Sequence, residues 1–202
     1  MKRKYEIILI LFILLTVGLP FLSGDSNLLG KMKYRIGKRG PAGGWIFYDK
    51  GNYSNGWRYL EAAPEDLPGT YDWEGGWMGK LLIPGSQGTA IGTGKSNSHA
   101  TVNQTYRGKE YTMTSYPARM CMKYDGGGKN DWFLPSKDEL NLIFKNLEKK
   151  DIGDFKSAWY WSSSQKDEYS AWAQFFYPGK QYGEQGLIGT KSKCFVRPIR
   201  AF

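Results

Sequence analysis

The sequence predicts an α+β domain of short twisted strands, one or two helices and long loops. Three observations point there. Behind Trp132-Phe133-Leu134-Pro135-Ser136, the apolar residues Leu140, Ile143, Phe144 and Leu147 fall on one helical stripe, the clearest helical period in the chain. Elsewhere, short aromatic runs alternate with turn signals such as Asn55-Gly56, Pro84-Gly85, Asp125-Gly126-Gly127-Gly128 and Pro178-Gly179. Residues 64–114 carry little periodicity and read as loop, a length uncommon in compact domains without a function attached.

In chain order, strands are expected over 45–48 and 57–60, a helix around 116–123, and strands over 159–162, 171–176 and 194–199. The helix from about Lys137 to about Glu148 rests on the most signals. Pro135 ends the strand before it, because proline cannot donate to a ladder. Ser136 stands three residues before Glu139, which is a capping box. With 8 Trp, 14 Tyr, 10 Phe and 26 Gly in 202 residues, large rings fill the core and most of Trp45, Trp57, Trp132, Trp161 and Trp172 belong inside.

The first 24 residues read as a signal peptide or N-terminal anchor. Lys2, Arg3 and Lys4 precede an apolar run from Ile7 to Leu22. As a helix it would reach roughly 24 Å, short of the ~30 Å hydrocarbon core, which suits a signal peptide better than an anchor. Cleavage after Gly24 fits the small Ser23 and Gly24, whereas Leu22 fits it poorly and keeps the anchor open. More basic residues follow the run than precede it, and a retained anchor would place them outside, against the positive-inside tendency. Residues 25–37 then form a basic linker containing Lys31, Lys33 and Arg35, either simply solvated or an arm for anionic lipid or polysaccharide. Residues 38–202 form the domain.

The formal net charge is +9, and about +7 without the first 24 residues. That balance favours acidic partners through long-range attraction. Nucleic acid would satisfy the charge, but the export signal and the absence of a nucleic-acid motif set it aside. Two cysteines, Cys121 and Cys194, in an exported chain are expected to form one disulfide, closing a loop of about 73 residues and contributing roughly 4 kcal/mol.

Several enzyme chemistries lack their parts. His99 is the one histidine, and no Gly-x-Ser-x-Gly elbow accompanies it. One His with two remote Cys makes a poor zinc set. Asp138 and Glu139 are explained by the helix dipole, while Asp66, Asp72 and Glu74 lie in loops where a glycosidase pair would be invisible to sequence. Gly92-Thr93-Gly94-Lys95 lacks the spacing of a nucleotide loop. No cofactor and no metal are expected.

A set of blocks in fixed order carries a resemblance. They are Gly40-Pro41-Ala42-Gly43-Gly44-Trp45-Ile46-Phe47-Tyr48-Asp49, Gly56-Trp57-Arg58-Tyr59-Leu60, Ala90-Ile91-Gly92-Thr93-Gly94-Lys95-Ser96-Asn97, the Asn130 to Leu140 corner, Tyr160-Trp161-Ser162-Ser163-Ser164, Ala171-Trp172-Ala173-Gln174 and Val196-Arg197-Pro198-Ile199-Arg200. Together they resemble the Lcl C-terminal domain family, a bacterial domain of unknown function. The resemblance covers about 38–202. It implies a C-type-lectin-like fold, an extracytoplasmic setting (secreted, periplasmic or cell-surface), glycosaminoglycan binding and trimeric assembly. A homo-oligomer is therefore an expectation, although the chain has no collagen-like repeat. The same corner looks like that of formylglycine-generating oxidases, whose copper-binding cysteine pair is close in sequence; Cys121 and Cys194 are not. The Glu-Pro-Asn or Gln-Pro-Asp tripeptide of calcium-dependent lectins does not occur.

The expected function is thus a non-enzymatic recognition or adhesion domain for acidic, sulfated polysaccharide or another cell-envelope component. It would touch membrane only through its N-terminal segment. Its candidate ligand-binding residues are Lys180, Tyr182, Lys191, Lys193 and Arg197, where cations stand beside aromatic rings. A solvated basic strand pair explains them equally well, and strand parity makes at least one of Arg197 and Arg200 a buried, paired residue. The alternatives are an enzyme on the lectin-like scaffold, oxidase or sugar hydrolase, and a structural envelope protein.

Overall fold

A computed structural model describes residues 34–73, 81–106, 109–110, 115–178 and 183–202. The chain divides into two units, Met1–Lys33 and Tyr34–Phe202. The signal-like segment and residues 25–33 of the linker lie outside the described residues, as do Glu74, Lys180 and Tyr182.

Among the described residues, ten strands and three α-helices follow one another as β1 Trp45–Ser54, β2 Trp57–Ala62, β3 Tyr71–Asp72, α1 Gly94–Val102, β4 Thr105–Tyr106, β5 Lys109–Glu110, α2 Pro117–Lys123, α3 Lys137–Asn146, β6 Trp159–Gln165, β7 Ser170–Phe175, β8 Glu184–Gly189, β9 Lys193–Cys194 and β10 Ile199–Ala201. This is an α+β fold. One antiparallel sheet has the order β1-β2-β10 and another β6-β7-β8, with two-stranded pairs β3-β9 and β4-β5 beside them.

Local chemistry explains the regular elements. Asn55 and Gly56 both adopt positive φ, 51° and 79°, so the two-residue turn matches the twist of the β1-β2 hairpin. Ser136 opens α3 with extended backbone; its Oγ accepts from Glu139 N, while Glu139 Oε2 accepts from Ser136 N at 2.7 Å. α2 begins at Pro117, where the missing N–H costs nothing.

The apolar stripe of α3 packs with Phe47, Leu60, Tyr160, Phe176 and Ile199 in one buried cluster. A second cluster holds Trp73, Ile83, Tyr116, Leu134, Trp161 and Val196. Phe133 pairs with Ile199 through two backbone hydrogen bonds of 2.8 and 2.9 Å, which ties the corner before α3 to β10.

Four expectations need correction. The span 64–114 contains α1, whose inward face is Gly94, Asn97, Ser98 and Thr101. It has no apolar stripe, so periodicity does not reveal it. The single strand expected over 194–199 is two short ones: Phe195 makes an isolated parallel bridge to Tyr160, and residues 196–198 leave strand pairing around Pro198. The linker yields its end to the domain, since Tyr34 sets its ring edge-on to Tyr59 and Phe202 at 5.4 and 5.1 Å. Finally, Cys121 and Cys194 are free thiols, not a disulfide. Both lie in the cluster around Trp161 and serve as small apolar fillers. Burial pushes both thiols up, Cys194 to about 12.

Candidate functional site

Of the expected basic face, Lys191 and Lys193 are exposed. Arg197 is not part of it. It is 1% exposed, pairs with Asp66 at 2.7 Å, donates to the carbonyls of Ala63, Pro64 and Gly153, and lies over the Phe155 ring. A guanidinium buried and committed in this way belongs to the core and not to a basic surface face. Arg200 is likewise buried, between Glu61 and Asp131. Both arginines turn inward because the chain leaves strand geometry at Pro198, which removes the parity that would have opposed them.

Several residue blocks prove to be polar fasteners. The Gly40 to Gly44 loop wraps the Glu61 carboxylate: Ala42 N donates to it, and a Cβ on Gly40 would stand 2.0 Å from Glu61 Oε2. Ser163 Oγ accepts from Asn97 Nδ2 on α1, while Ser164 Oγ donates to Gly88 O in the segment before α1 and accepts from Lys137 N. Many surface rings already carry a cation. Arg39 lies 3.6 Å from the Trp45 centroid, Lys137 4.1 Å from that of Trp172 and Lys156 4.7 Å from that of Phe195. The abundance of aromatic–basic neighbours is thus partly internal pairing.

A groove of about 830 Å³ lies between the end of the β1-β2 hairpin and the start of α1. Lys50 and Trp57 stand on the hairpin side, and Gly92, Lys95 and His99 on the α1 side; the buried Phe133 and Glu139 complete the lining. Lys50 is prepositioned. Its Nζ donates to Ser54 O at 2.7 Å and sits 3.8 Å from the Trp57 ring centroid, leaving ammonium protons for another acceptor. Lys95 and His99 are exposed on α1. The hairpin turn and the Gly92 to Ser96 block were singled out in sequence, but residues 50–57 and 91–99 meet only in three dimensions.

The one carboxylate in the groove lining is fully engaged. Glu139 Oε1 accepts from Gly92 N at 2.8 Å and Oε2 from Ser136 N at 2.7 Å, and Gly94 N adds a third donor. It therefore caps its own helix and the start of α1 together. Burial pushes its carboxyl up to about 7, against the opposing pull of those backbone donors. A Cβ on Gly94 would come within 2.2 Å of Oε2, so this approach requires glycine. The Gly92-Thr93-Gly94-Lys95 loop consequently presents its donors to a protein carboxylate, which leaves it unsuited to a phosphate. Among the described residues, no group of three His, Cys, Asp or Glu is placed to hold a metal ion, and no helix is long and apolar enough to cross a membrane.

No protein-family model and no curated protein matches this sequence. Among solved structures, the chain is similar to a fimbrial protein from Bacteroides ovatus, at 14% identity and a TM-score of 0.42, over 72% of this chain and 36% of that one. The chain thus spans little more than a third of that protein's length.

Proposed function

We propose that this chain is an exported, C-type-lectin-like recognition domain that holds an acidic polysaccharide at the cell surface or envelope without altering it chemically. The groove carries this reading. It sets a prepositioned lysine and a second lysine around a cavity whose single carboxylate is locked by backbone donors. An anion meets cations there with little cost in side-chain ordering, since Lys50 is already held. The basic and then apolar character of the first 24 residues supports export. The enzyme reading has less behind it. A sugar hydrolase needs two working carboxylates flanking the bond, and the thiols an oxidase would use are buried here.

The test is retention of the purified domain on a sulfated-glycan column against a salt gradient. Retention should collapse with salt, because the Debye length falls from ~10 Å at 0.1 M to ~3 Å at 1 M. Lys50→Glu/Lys95→Glu should abolish retention, while Lys191→Glu/Lys193→Glu should weaken it modestly. Loss only in the second variant would move the site to β9. No retention of the wild type at low salt would leave the structural envelope reading in front.

A further inference from the structure

A strand at the edge of a sheet presents a row of unpaired N–H and C=O groups, and native chains blunt such edges by covering, charging or bulging them. Three of the four edges of the two three-stranded sheets are treated in this way. Along β6, the backbone N–H groups of Trp161, Ser163 and Gln165 donate to the carbonyls of Phe195, Pro135 and Ser86. Phe133 pairs with Ile199 on the outside of β10. The start of β1 is covered by residues 37 and 38, which bond to Ile46, and further on β1 carries Lys50 and breaks register. β8 has none of these devices. It stays in register with β7 over all six residues and contains no lysine or proline. Among the described residues it pairs with β7 alone, and its outer row of backbone groups has no partner. Leu187 at its middle is 46% exposed, whereas Trp172, its neighbour on β7, already carries the Lys137 ammonium.

We propose that β8 is a self-association edge, pairing antiparallel with β8 of a second copy about a two-fold axis through Leu187. Such an axis stands normal to the sheet and keeps like faces together, so facing residues must be an even number apart. Centred on Leu187, the pairing sets that leucine against its own counterpart and Gln185 against Gly189 of the second copy. Two three-stranded sheets become one of six, and each exposed leucine covers the other. The charges agree with this direction. Exposed Glu184 stands at one end of β8 and exposed Lys191 just beyond the other. Antiparallel pairing brings the two signs together at both ends, whereas parallel pairing would set like beside like. The arrangement closes at two copies, which distinguishes it from the trimer that the resemblance implies, and it does not depend on the anion-recognition reading.

The experiment treats Leu187→Cys, in the full chain, with diamide and reads linked dimer as a doubled mass without reductant. Cys121 and Cys194 are buried and stay out of the reaction. Tyr53→Cys, at a position 70% exposed on the β1-β2 hairpin, sets the rate of random collision. Leu187→Cys should link about ten-fold faster or more, because pairing holds the two sulfurs at an effective concentration that collision does not reach. Adding Glu184→Lys or Lys191→Glu should slow the link several-fold, and adding both should restore it. Equal rates for Leu187→Cys and Tyr53→Cys overturn the proposal and leave β8 to a strand of a different chain or to solvent. Failure of the double exchange to restore the rate overturns the antiparallel pairing. Should Leu187→Cys not fold, sedimentation equilibrium of the exported protein decides. The wild type should approach the mass of two copies with rising concentration, and Leu187→Lys should stay at one. A wild type that stays at one, or a variant that associates equally, overturns the proposal.

Discussion

Arg200 Nη1 lies 2.7 Å from Oε1 of Glu61, a carboxylate with no exposed surface. Burial pushes the Glu61 carboxyl up, and Arg200 together with the N–H groups of Ala42 and Gly44 pulls it back down. Asp131 takes the other side of the same guanidinium with two bonds, 2.7 and 2.9 Å. The pair thus joins the glycine loop, β2, β10 and the corner before α3. Arg200→Met should cost about 3–5 kcal/mol by stranding a buried charge, and Arg200→Met with Glu61→Met should cost clearly less than the single change. Urea denaturation of the three variants checks this.

The corner itself is testable. Ser136→Ala should lower stability by about 1 kcal/mol through loss of the cap. Trp132→Ala should cost about 3–5 kcal/mol, since Trp132 is buried, donates to Gly126 O and meets the Tyr124 ring edge-on at 5.1 Å. An unchanged thermal midpoint for Trp132→Ala would refute its core role.

Stability should fall as pH rises through about 7. Glu148 is 3% exposed and neither carboxylate oxygen has a hydrogen-bond partner among the described residues, so burial pushes its carboxyl up to about 7; Glu139 is raised to a similar value. A carboxyl raised in the fold contributes stability that is fully present below its unfolded value near 4.5 and is lost as pH rises through the folded value. Denaturant midpoints should therefore drop between pH 5 and 8, and Glu148→Gln should flatten part of that slope. A midpoint that climbs over this range would contradict the assignment.

Cys121 and Cys194 should behave as inert thiols. Native protein should resist alkylation at both, because burial disfavours the thiolate. After unfolding without reductant, both should react. A mass showing one disulfide in protein taken from the cell envelope would reverse the finding.

The elements that the sequence determined by itself are those whose signals are local and apolar. α3 announced its start through Ser136 and Glu139, three residues apart, and its buried face through Leu140, Ile143, Phe144 and Leu147. The β1-β2 turn needed only Asn55-Gly56. α1 escaped because its inward residues are polar: Asn97 bonds to Gly88 O and Ser163 Oγ, and Ser98 to Leu134, partners that no local pattern can supply. Arg197 and Arg200 look alike in sequence to surface cations, and only the carboxylates brought by β2 and two loops turn them into core. The groove is decided at the same level. Lys50 and Lys95 lie far apart in the chain; the β1-β2 hairpin carries the first, and the Glu139 carboxylate helps to place the second by fastening the start of α1 to the start of α3. Periodicity records which side chains avoid water; it is silent about polar groups that are buried because distant partners satisfy them, and here those groups build the site.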